Sequence, residues 1–202
     1  IIGWQMVDST QLAESKSIHR RTGKTFYYAT RLLPERVRHP TYVLYAFFRV
    51  ADEVVDNPNG MPPTEQHERL LEIKDAALGR KPTDDPVLEA FSEIRERYGI
   101  PDDEVEVFID AMRTDIEKSR YETYEELEAY MRGSAAAVGV MMTIVMETDD
   151  EDSARPKACR LGEAFQLTNF LRDVGEDIAD RDRIYLPQST LEACGADPQT
   201  IE

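Results

Sequence analysis

Residues 161–187 decide the fold, and they read LGEAFQLTNFLRDVGEDIADRDRIYLP. Four polar side chains recur there at intervals of three and four residues: Gln166, Asn169, Asp173 and Asp177. Residues at these intervals lie on one face of an α-helix. Apolar residues stand between them, at Phe165, Leu167, Phe170 and Leu171. The spacing therefore predicts a buried helix with one polar face, which we call the second aspartate stripe.

An earlier stretch, TYVLYAFFRVADEVVDNP at 41–58, repeats this design. Its four members again fall on one helical face: Tyr45, Arg49, Asp52 and Asp56. We call this face the first aspartate stripe. Isolated buried carboxylates are costly, so two such helices suggest carboxylates that face each other across a cavity with a cation between them.

The residue types in the stripes point to a hard divalent cation. Aspartates four residues apart on a helix have Cβ atoms roughly 5–6 Å apart. Mg²⁺ prefers oxygen ligands and is usually held by one or two carboxylates together with substrate phosphates. Neither stripe contains His or Cys, which argues against zinc or iron. We therefore predict that Mg²⁺, or Mn²⁺ as an alternative, binds a diphosphate leaving group at four residues: Asp52, Asp56, Asp173 and Asp177. Arg49 and Arg172 are predicted to neutralise diphosphate oxygens.

Composition restricts the class of protein. The 202 residues fit one large domain or two small ones, and a hydrophobic content of 41% allows a sizeable core. A net charge of −16 argues against binding to nucleic acid. The acidic, lysine-poor balance is typical of a protein from a high-salt cytoplasm, with an ordinary acidic protein as the alternative. Two cysteines form no disulfide framework, and we find no signal peptide or spanning segment.

The apolar periodicity is helical nearly everywhere and predicts an all-α chain without an internal linker. Helices are expected at about 9–20, at about 24–33, at about 40–55, from Pro62 and Pro63 to near Gly79, at 86–99, at 101 to about 118, at 123 to about 146, at about 155–179, and after a cap at Ser189. Asp197 and Pro198 are expected to open a further helix. We expect residues 1–202 to form a single domain that is incomplete at its C-terminus, with residues 1–5 as a non-native extension before Met6.

A third stretch, residues 130–145, carries a face of small residues: Ser134, Ala135, Val138 and Gly139. Such a face usually allows two helices to pack closely. It can also form a wall that leaves room for a long hydrocarbon chain. The spacing by itself leaves both interpretations open.

Together these stretches resemble the squalene and phytoene synthases, which are head-to-head isoprenoid transferases. Residues 130–145 resemble one family signature. The other signature matches in order and spacing at Leu161-Gly162, Gln166, Asn169, Arg172-Asp173, Asp177, Arg183, Tyr185 and Pro187. Lys24-Thr25-Phe26 resembles the N-terminal substrate-contacting segment, although Gly23 stands where many members have serine. The resemblance spans nearly the whole chain but only about the first two-thirds of a usual member.

The resemblance implies an isoprenoid-synthase helical bundle around a central cavity. It implies that two geranylgeranyl diphosphates condense through a cyclopropyl diphosphate to phytoene, without NADPH. Within the family, residues 172–177 look more like phytoene synthase, and with the acidic composition they suggest a halophile-type archaeal member. The implied diphosphate-positioning residues are Tyr45, Arg49, Gln166, Asn169 and Arg172. The other implied substrate-binding residues are Lys24, Phe26, Tyr130, Ser134, Ala135, Val138, Gly139 and Arg183.

Other functions remain open from the sequence. A squalene or dehydrosqualene synthase would use farnesyl diphosphate on the same fold. A non-catalytic helical assembly factor would have no need of the aspartates, and an all-α nucleotide pyrophosphohydrolase would need a glutamate-rich ExxE pattern. We expect a cytoplasmic protein, and its hydrophobic substrate and product suggest a peripheral contact with a membrane.

Overall fold

The computed structural model describes residues 7–56 and 59–196. Within these ranges the chain is helical, without a β-strand, and confirms the predicted all-α class. The helices are α1 (Ser9–Thr22), α2 (Lys24–Thr30), α3 (Glu35–Asp56), α4 (Pro63–Ala77), α5 (Pro86–Tyr98), α6 (Asp102–Glu117), α7 (Tyr124–Met131), α8 (Ala137–Met146), α9 (Glu151–Arg172), α10 (Val174–Arg181) and α11 (Gln188–Ala193). A π-helical turn, Arg132–Ala136, joins α7 to α8.

Helix α3 lies at the centre of the bundle and packs against α1, α4, α5, α6 and α8. Its apolar face is fully buried, and the ring of Phe47 stacks on that of Phe91 in α5 at 3.8 Å. The sequence prediction started this helix at Pro40, but it begins at Glu35. Proline removes the backbone N–H that would bond to the carbonyl of Arg36, and the Tyr98 hydroxyl donates to that carbonyl instead, at 3.4 Å.

The apolar segment Tyr124–Met146 is one continuous helix, as predicted, but it contains a π-helical turn at Arg132–Ala136. Its start is as predicted, because the Thr123 hydroxyl accepts a hydrogen bond from the Glu126 backbone N–H. The π-helical turn then brings Gly133 against the Val107 carbonyl of α6, where a side chain would overlap. By length and composition this segment could cross a membrane, but most of it is buried inside the bundle, as is typical of a core helix.

The helix of the second aspartate stripe differs from its prediction in three ways. It begins at Glu151, whereas the prediction began at about residue 155. It ends at Arg172, and α10 begins at Val174 after a break at Asp173. It is also less buried than expected: Phe170 is in the core, while Phe165 and Leu171 are exposed. The physical reason is that α8 and the π-helical turn cover α9 on one side only.

Of the predictions near the chain ends, one is wrong and two lie outside the described residues. Helix α11 begins at Gln188, and Pro187 precedes it without a side-chain cap, so the predicted cap at Ser189 is wrong. The predicted helix start at Asp197 and Pro198 lies outside the described residues, as does the predicted extension at 1–5.

Candidate active site

The two aspartate stripes open on one cavity of about 450 Å³. Helices α3 and α6 form one side, and the segments α8, α9 and α10 form the other. Carboxylates from both stripes line it, namely Asp52, Asp56, Asp173 and Asp177. The rest of the lining is largely aromatic and apolar: Phe26, Tyr45, Phe48, Phe108, Met112, Val138, Met142, Phe170 and Tyr185. The cavity therefore combines an acidic region with room for an apolar chain.

Arg49 partly neutralises the first stripe. Its Nη1 atom lies 3.8 Å from Asp52 Oδ2 and 3.7 Å from Asp56 Oδ2. Its Nη2 atom donates to Glu53 at 3.0 Å. Since Arg49 is not among the lining residues, it acts on the cavity through these carboxylates in this structure.

The second stripe is held by two arginines of different exposure. Arg172 is mostly exposed and forms a bidentate pair with Asp173, with both N–O distances at 2.6 Å. This pairing lowers the pKa of Asp173. Arg181 lines the cavity and reaches Asp177 at 3.4 Å and, across the cavity, Asp56 at 3.4 Å. Arg181 thus links the two stripes, a role that helical periodicity alone did not indicate.

In the first stripe, the surroundings of Asp52 disfavour its ionised form. Burial, followed by the charge of Asp56, raises the pKa of Asp52 to about 7, while Arg49 acts in the opposite direction. The side chain keeps 37% of its surface open to the cavity, so water in the cavity screens part of this effect. Burial also raises the pKa of Asp177. A cation placed beside them would stabilise the ionised form of both carboxylates.

A polar cluster beneath the stripes contains Tyr130 and Arg183, which were predicted, and Asp115, which the sequence analysis missed. Asp115 of α6 lines the cavity, is buried, and accepts a 2.6 Å hydrogen bond from the Tyr130 hydroxyl. Arg183 donates to the Asp115 backbone carbonyl at 2.8 Å, and its Nη1 lies 3.7 Å from Asp56. Burial raises the pKa of Asp115 to about 6 against the opposing effect of the Tyr130 hydrogen bond. The signal was available, because Asp115 falls on the apolar face of α6 with Phe108 and Met112.

The structure brings most predicted residues to the cavity. Twelve of them line it: Phe26, Tyr45, Asp52, Asp56, Tyr130, Ser134, Val138, Gln166, Asn169, Asp173, Asp177 and Arg183. Five do not, and these are Lys24, Arg49, Ala135, Gly139 and Arg172.

One part of the small-residue face lines the cavity, and the other part packs against a helix. Ser134 and Val138 line the cavity. Gly139 instead meets α9, where an added Cβ would lie 2.6 Å from the Ala158 carbonyl. The Ala135 carbonyl likewise lies against Gly162 of α9. Gly139 and Ala135 therefore allow close helix packing, which corrects their predicted place in the hydrocarbon wall.

The N-terminal edge of the cavity is an aromatic cluster around His19. The His19 ring is fully buried and stacks on Tyr45 at 3.9 Å, with Phe26 at 5.0 Å. Neither ring nitrogen has a hydrogen-bond partner within the described structure, and burial lowers the pKa of His19 to about 4. Gly23 touches the Tyr45 hydroxyl so closely that a Cβ would overlap, so this conformation has no room for a serine at position 23.

The donor set fits a divalent cation in chemistry. It consists of carboxylate oxygens with the amides of Gln166 and Asn169 nearby in the lining, as hard cations prefer. Among the residues that the structure describes, however, no three acidic, His or Cys side chains approach closely enough to hold an ion. Arg181 and Arg49 instead neutralise the carboxylates.

A helical bundle that surrounds one acidic and apolar cavity is the architecture of the isoprenoid synthases, and solved structures support this class. The fold matches a crystal structure of a dehydrosqualene synthase with a TM-score of 0.82 and 32% identity, over 95% of this chain and 66% of that one. It also matches a squalene synthase from Alicyclobacillus acidocaldarius with a TM-score of 0.80 and 25% identity, over 95% of this chain and 72% of that one.

The sequence comparisons identify the family. Residues 19–202 match the squalene/phytoene synthase family, and the chain belongs to it. It is 35% identical to a phytoene synthase of Rhodobacter capsulatus, over 97% of this chain and 58% of the relative. It is 38% identical to phytoene synthase 1 of Zea mays, over 88% of this chain and 44% of the relative. The chain thus spans about half the length of these curated relatives.

Proposed function

We propose that the protein containing this chain is a phytoene synthase that joins two geranylgeranyl diphosphates head to head. The observation that carries the proposal is one cavity in which two aspartate stripes face each other above an apolar floor. The similarity to relatives named phytoene synthase, at 35–38% identity, supports this substrate class over others.

The cation in this proposal is Mg²⁺, with Mn²⁺ as a substitute. The squalene/phytoene synthase family depends on divalent metal in general. Asp52 and Asp56 would hold it from one side of the cavity, and Asp173 and Asp177 from the other. When bound, the cation neutralises the diphosphate and makes it a better leaving group. The carboxylates themselves need this charge, because burial disfavours the ionised form of Asp52 and Asp177.

The chain's own cations complete the neutralisation. Arg181 and Arg183 line the cavity beside Asp56 and are placed to donate hydrogen bonds to diphosphate oxygens. Arg49 and Arg172 are paired with the aspartates, so they would set the position of those carboxylates.

The apolar part of the cavity would hold the prenyl chains and keep water from reactive carbocations. Its lining includes Phe48 of α3, Phe108 and Met112 of α6, and Val138 and Met142 of α8. Tyr130 lies between this floor and the aspartates, and its hydroxyl is fixed on Asp115. Its electron-rich ring is thus held where positive charge would develop during the rearrangement.

The experiment is product analysis with the complete protein. It is incubated with geranylgeranyl or farnesyl diphosphate and Mg²⁺, with and without NADPH, and the products are identified by mass spectrometry. We expect phytoene from geranylgeranyl diphosphate without NADPH. Asp52→Asn and Asp173→Asn should each lower turnover by orders of magnitude, since metal activation of a leaving group is worth several kcal/mol. Near-normal turnover of either variant at limiting Mg²⁺ would remove the aspartates from this role.

The second candidate is a dehydrosqualene synthase that uses farnesyl diphosphate. The fold match to a dehydrosqualene synthase at 32% identity supports testing this alternative. The same incubation separates the two, because that enzyme would convert farnesyl diphosphate in preference. In either case we infer a cytoplasmic enzyme whose substrate partitions into membranes.

A further inference from the structure

Charge is unevenly distributed along this chain. Residues 1–40 contain seven Lys or Arg and three Asp or Glu, a balance of +4. The whole chain has a net charge of −16, which leaves −20 for residues 41–202. The N-terminal segment therefore has a charge opposite in sign to that of the remainder of the chain.

The basic side chains of α1, of α2 and of the turn after α2 are exposed to solvent. Five of them form no ion pair with any residue that the structure describes: Lys16, Arg20, Arg21, Lys24 and Arg31. Elsewhere in the chain, basic side chains such as Arg69, Arg80, Arg95 and Arg160 pair with nearby acids. The N-terminal cations are therefore available to an external anion.

Large apolar side chains stand among these cations. Tyr28 is 62% exposed and Leu32 is 87% exposed. Lys24, Tyr28 and Leu32 follow one another at intervals of four residues, so they lie along one side of α2 and the turn after it. Arg31 borders this line and forms a shallow groove with Lys16 of α1. We call the set Lys16, Lys24, Tyr28, Arg31 and Leu32 the N-terminal surface.

This mixture of residues suits a lipid surface better than a protein or a nucleic acid. Exposed Tyr and Leu beside Lys and Arg are typical of segments that lie at the membrane interface. Anionic headgroups attract such cations, while the acidic remainder of the protein is repelled and turns away. That repulsion would orient the protein with α2 toward the bilayer.

The N-terminal surface also lies next to the cavity. Phe26, on the same helix, lines the cavity and is itself partly exposed. Phe26 lies two positions from both Lys24 and Tyr28, on the opposite side of α2. A membrane that contacts the N-terminal surface would therefore lie one helix away from the aromatic edge of the cavity formed by Phe26 and Tyr45. A hydrocarbon substrate would pass around α2 to reach the cavity from the bilayer.

We propose that the N-terminal surface binds an anionic lipid bilayer, with Tyr28 and Leu32 at the interface and Lys16, Lys24 and Arg31 on the headgroups. Binding itself does not depend on the proposed function. Its use, the delivery of an apolar substrate to the cavity, rests on that function.

The test is sedimentation of the complete protein with vesicles. Vesicles of phosphatidylcholine with about one-third phosphatidylglycerol are compared with pure phosphatidylcholine, at low salt and at high salt. We expect binding to the anionic vesicles that weakens with salt. Lys24→Gln and Arg31→Gln should each weaken it about fivefold, since each basic residue near an anionic surface contributes about 1 kcal/mol. The double variant Tyr28→Ser/Leu32→Ser should weaken it further.

Matched controls keep the test specific. Tyr124 is also an exposed tyrosine, at 46%, but its neighbours Glu122, Glu125 and Glu126 are acidic, so Tyr124→Ser should bind like the wild type. Lys157→Gln removes an exposed lysine from α9, far along the chain from the N-terminal surface, and should also leave binding unchanged. Circular dichroism confirms that each variant is folded.

Several outcomes would overturn the proposal. These are equal binding to neutral vesicles, unchanged binding of the α2 variants, or equal losses in the control variants. A monomer–dimer shift caused by Tyr28→Ser/Leu32→Ser in light scattering, without a change in vesicle binding, would assign this surface to a second copy of the chain. Turnover of detergent-dispersed substrate should stay normal in Arg31→Gln and in Tyr28→Ser/Leu32→Ser. Lys24→Gln is left out of this comparison because Lys24 is among the implied substrate-binding residues. If the wild-type protein does not turn over this substrate, that result counts against the proposed function and not against binding at the N-terminal surface.

Discussion

The carboxylate of Asp56 on α3 lies 3.4 Å from the guanidinium of Arg181 at the end of α10. The same guanidinium reaches Asp177 at 3.4 Å. One arginine thus connects the two aspartate stripes across the cavity, at the place where a divalent cation would bind. A metal ion and Arg181 would therefore compete for these two carboxylates.

This arrangement predicts that Arg181→Gln binds Mn²⁺ more tightly in the absence of diphosphate. Removing a positive charge within about 4 Å of the carboxylates should strengthen binding about tenfold or more. The measurement is free Mn²⁺ by electron spin resonance. Arg181→Lys keeps the charge and should change the affinity less. Arg160→Gln, which breaks an ion pair outside the cavity, should leave it unchanged. An unchanged Mn²⁺ affinity in Arg181→Gln would show that Arg181 does not occupy the metal's position.

Asp115 should make the protein less stable as pH rises from about 4 to about 6. Because burial raises the pKa of Asp115 from 3.8 to about 6, the folded state favours the protonated carboxyl. This contribution is complete below the ordinary pKa and is lost as pH rises through about 6. Urea unfolding of Asp115→Asn should therefore show a smaller loss of stability between pH 4 and pH 7, by up to about 3 kcal/mol. Identical slopes for the variant and the wild type would contradict a buried, titrating Asp115.

His19 should act in the opposite direction. Burial lowers the pKa of His19 from 6.5 to about 4, so the folded state favours the neutral ring. Its contribution is present above pH 6.5 and is lost as pH falls through about 4. His19→Phe keeps the stack on Tyr45 but cannot be protonated. We expect this variant to retain up to about 3 kcal/mol more stability at pH 4 than the wild type does, each relative to pH 7.5. If both unfold alike in acid, His19 is not the acid-sensitive group.

Two glycines should respond oppositely to the same substitution. A Cβ at Gly139 would lie 2.6 Å from the Ala158 carbonyl, so Gly139→Ala should push α8 from α9 and cost about 1–3 kcal/mol. Gly175 in α10 has no atom within 4 Å of the added Cβ, so Gly175→Ala should be neutral or stabilising by up to about 1 kcal/mol. Thermal unfolding of both variants is the measurement. A Gly139→Ala protein as stable as Gly175→Ala would refute close packing at this helix crossing.

The wall at Val138 should influence the length of chain that the cavity accepts. Val138→Phe fills space beside Met142 and should lower kcat/KM for geranylgeranyl diphosphate more than for farnesyl diphosphate. Val138→Ala should move the ratio in the opposite direction or leave it unchanged. Ala135 is unsuitable for this test because its backbone packs on Gly162, so a larger side chain there would disturb the fold. The same kcat/KM ratio in Val138→Phe and the wild type would mean that Val138 does not contact the prenyl chain.

Much of the site could be predicted because intervals of three and four residues define a helical face. That rule was sufficient to place Asp52, Asp56, Asp173 and Asp177 on faces that share one cavity. It also contained the signal for Asp115, which occupies an apolar-face position of α6. Arg181 could not be found this way, because its partner Asp56 is distant in sequence and only the packing of α10 near α3 brings them together.

The sequence by itself determined the all-α class and the two aspartate faces, because helical periodicity is a local property of the chain. The tertiary structure decided which small residues pack and which line the cavity. Ser134 and Val138 face the cavity, while Ala135 and Gly139 face α9, since the π-helical turn and the position of α9 set the rotation of this segment. It also decided which charges remain unpaired, because ion pairs between separate helices form only after packing. That is why the acidic cavity contains its own arginines, while the cations of α1 and α2 remain exposed to solvent.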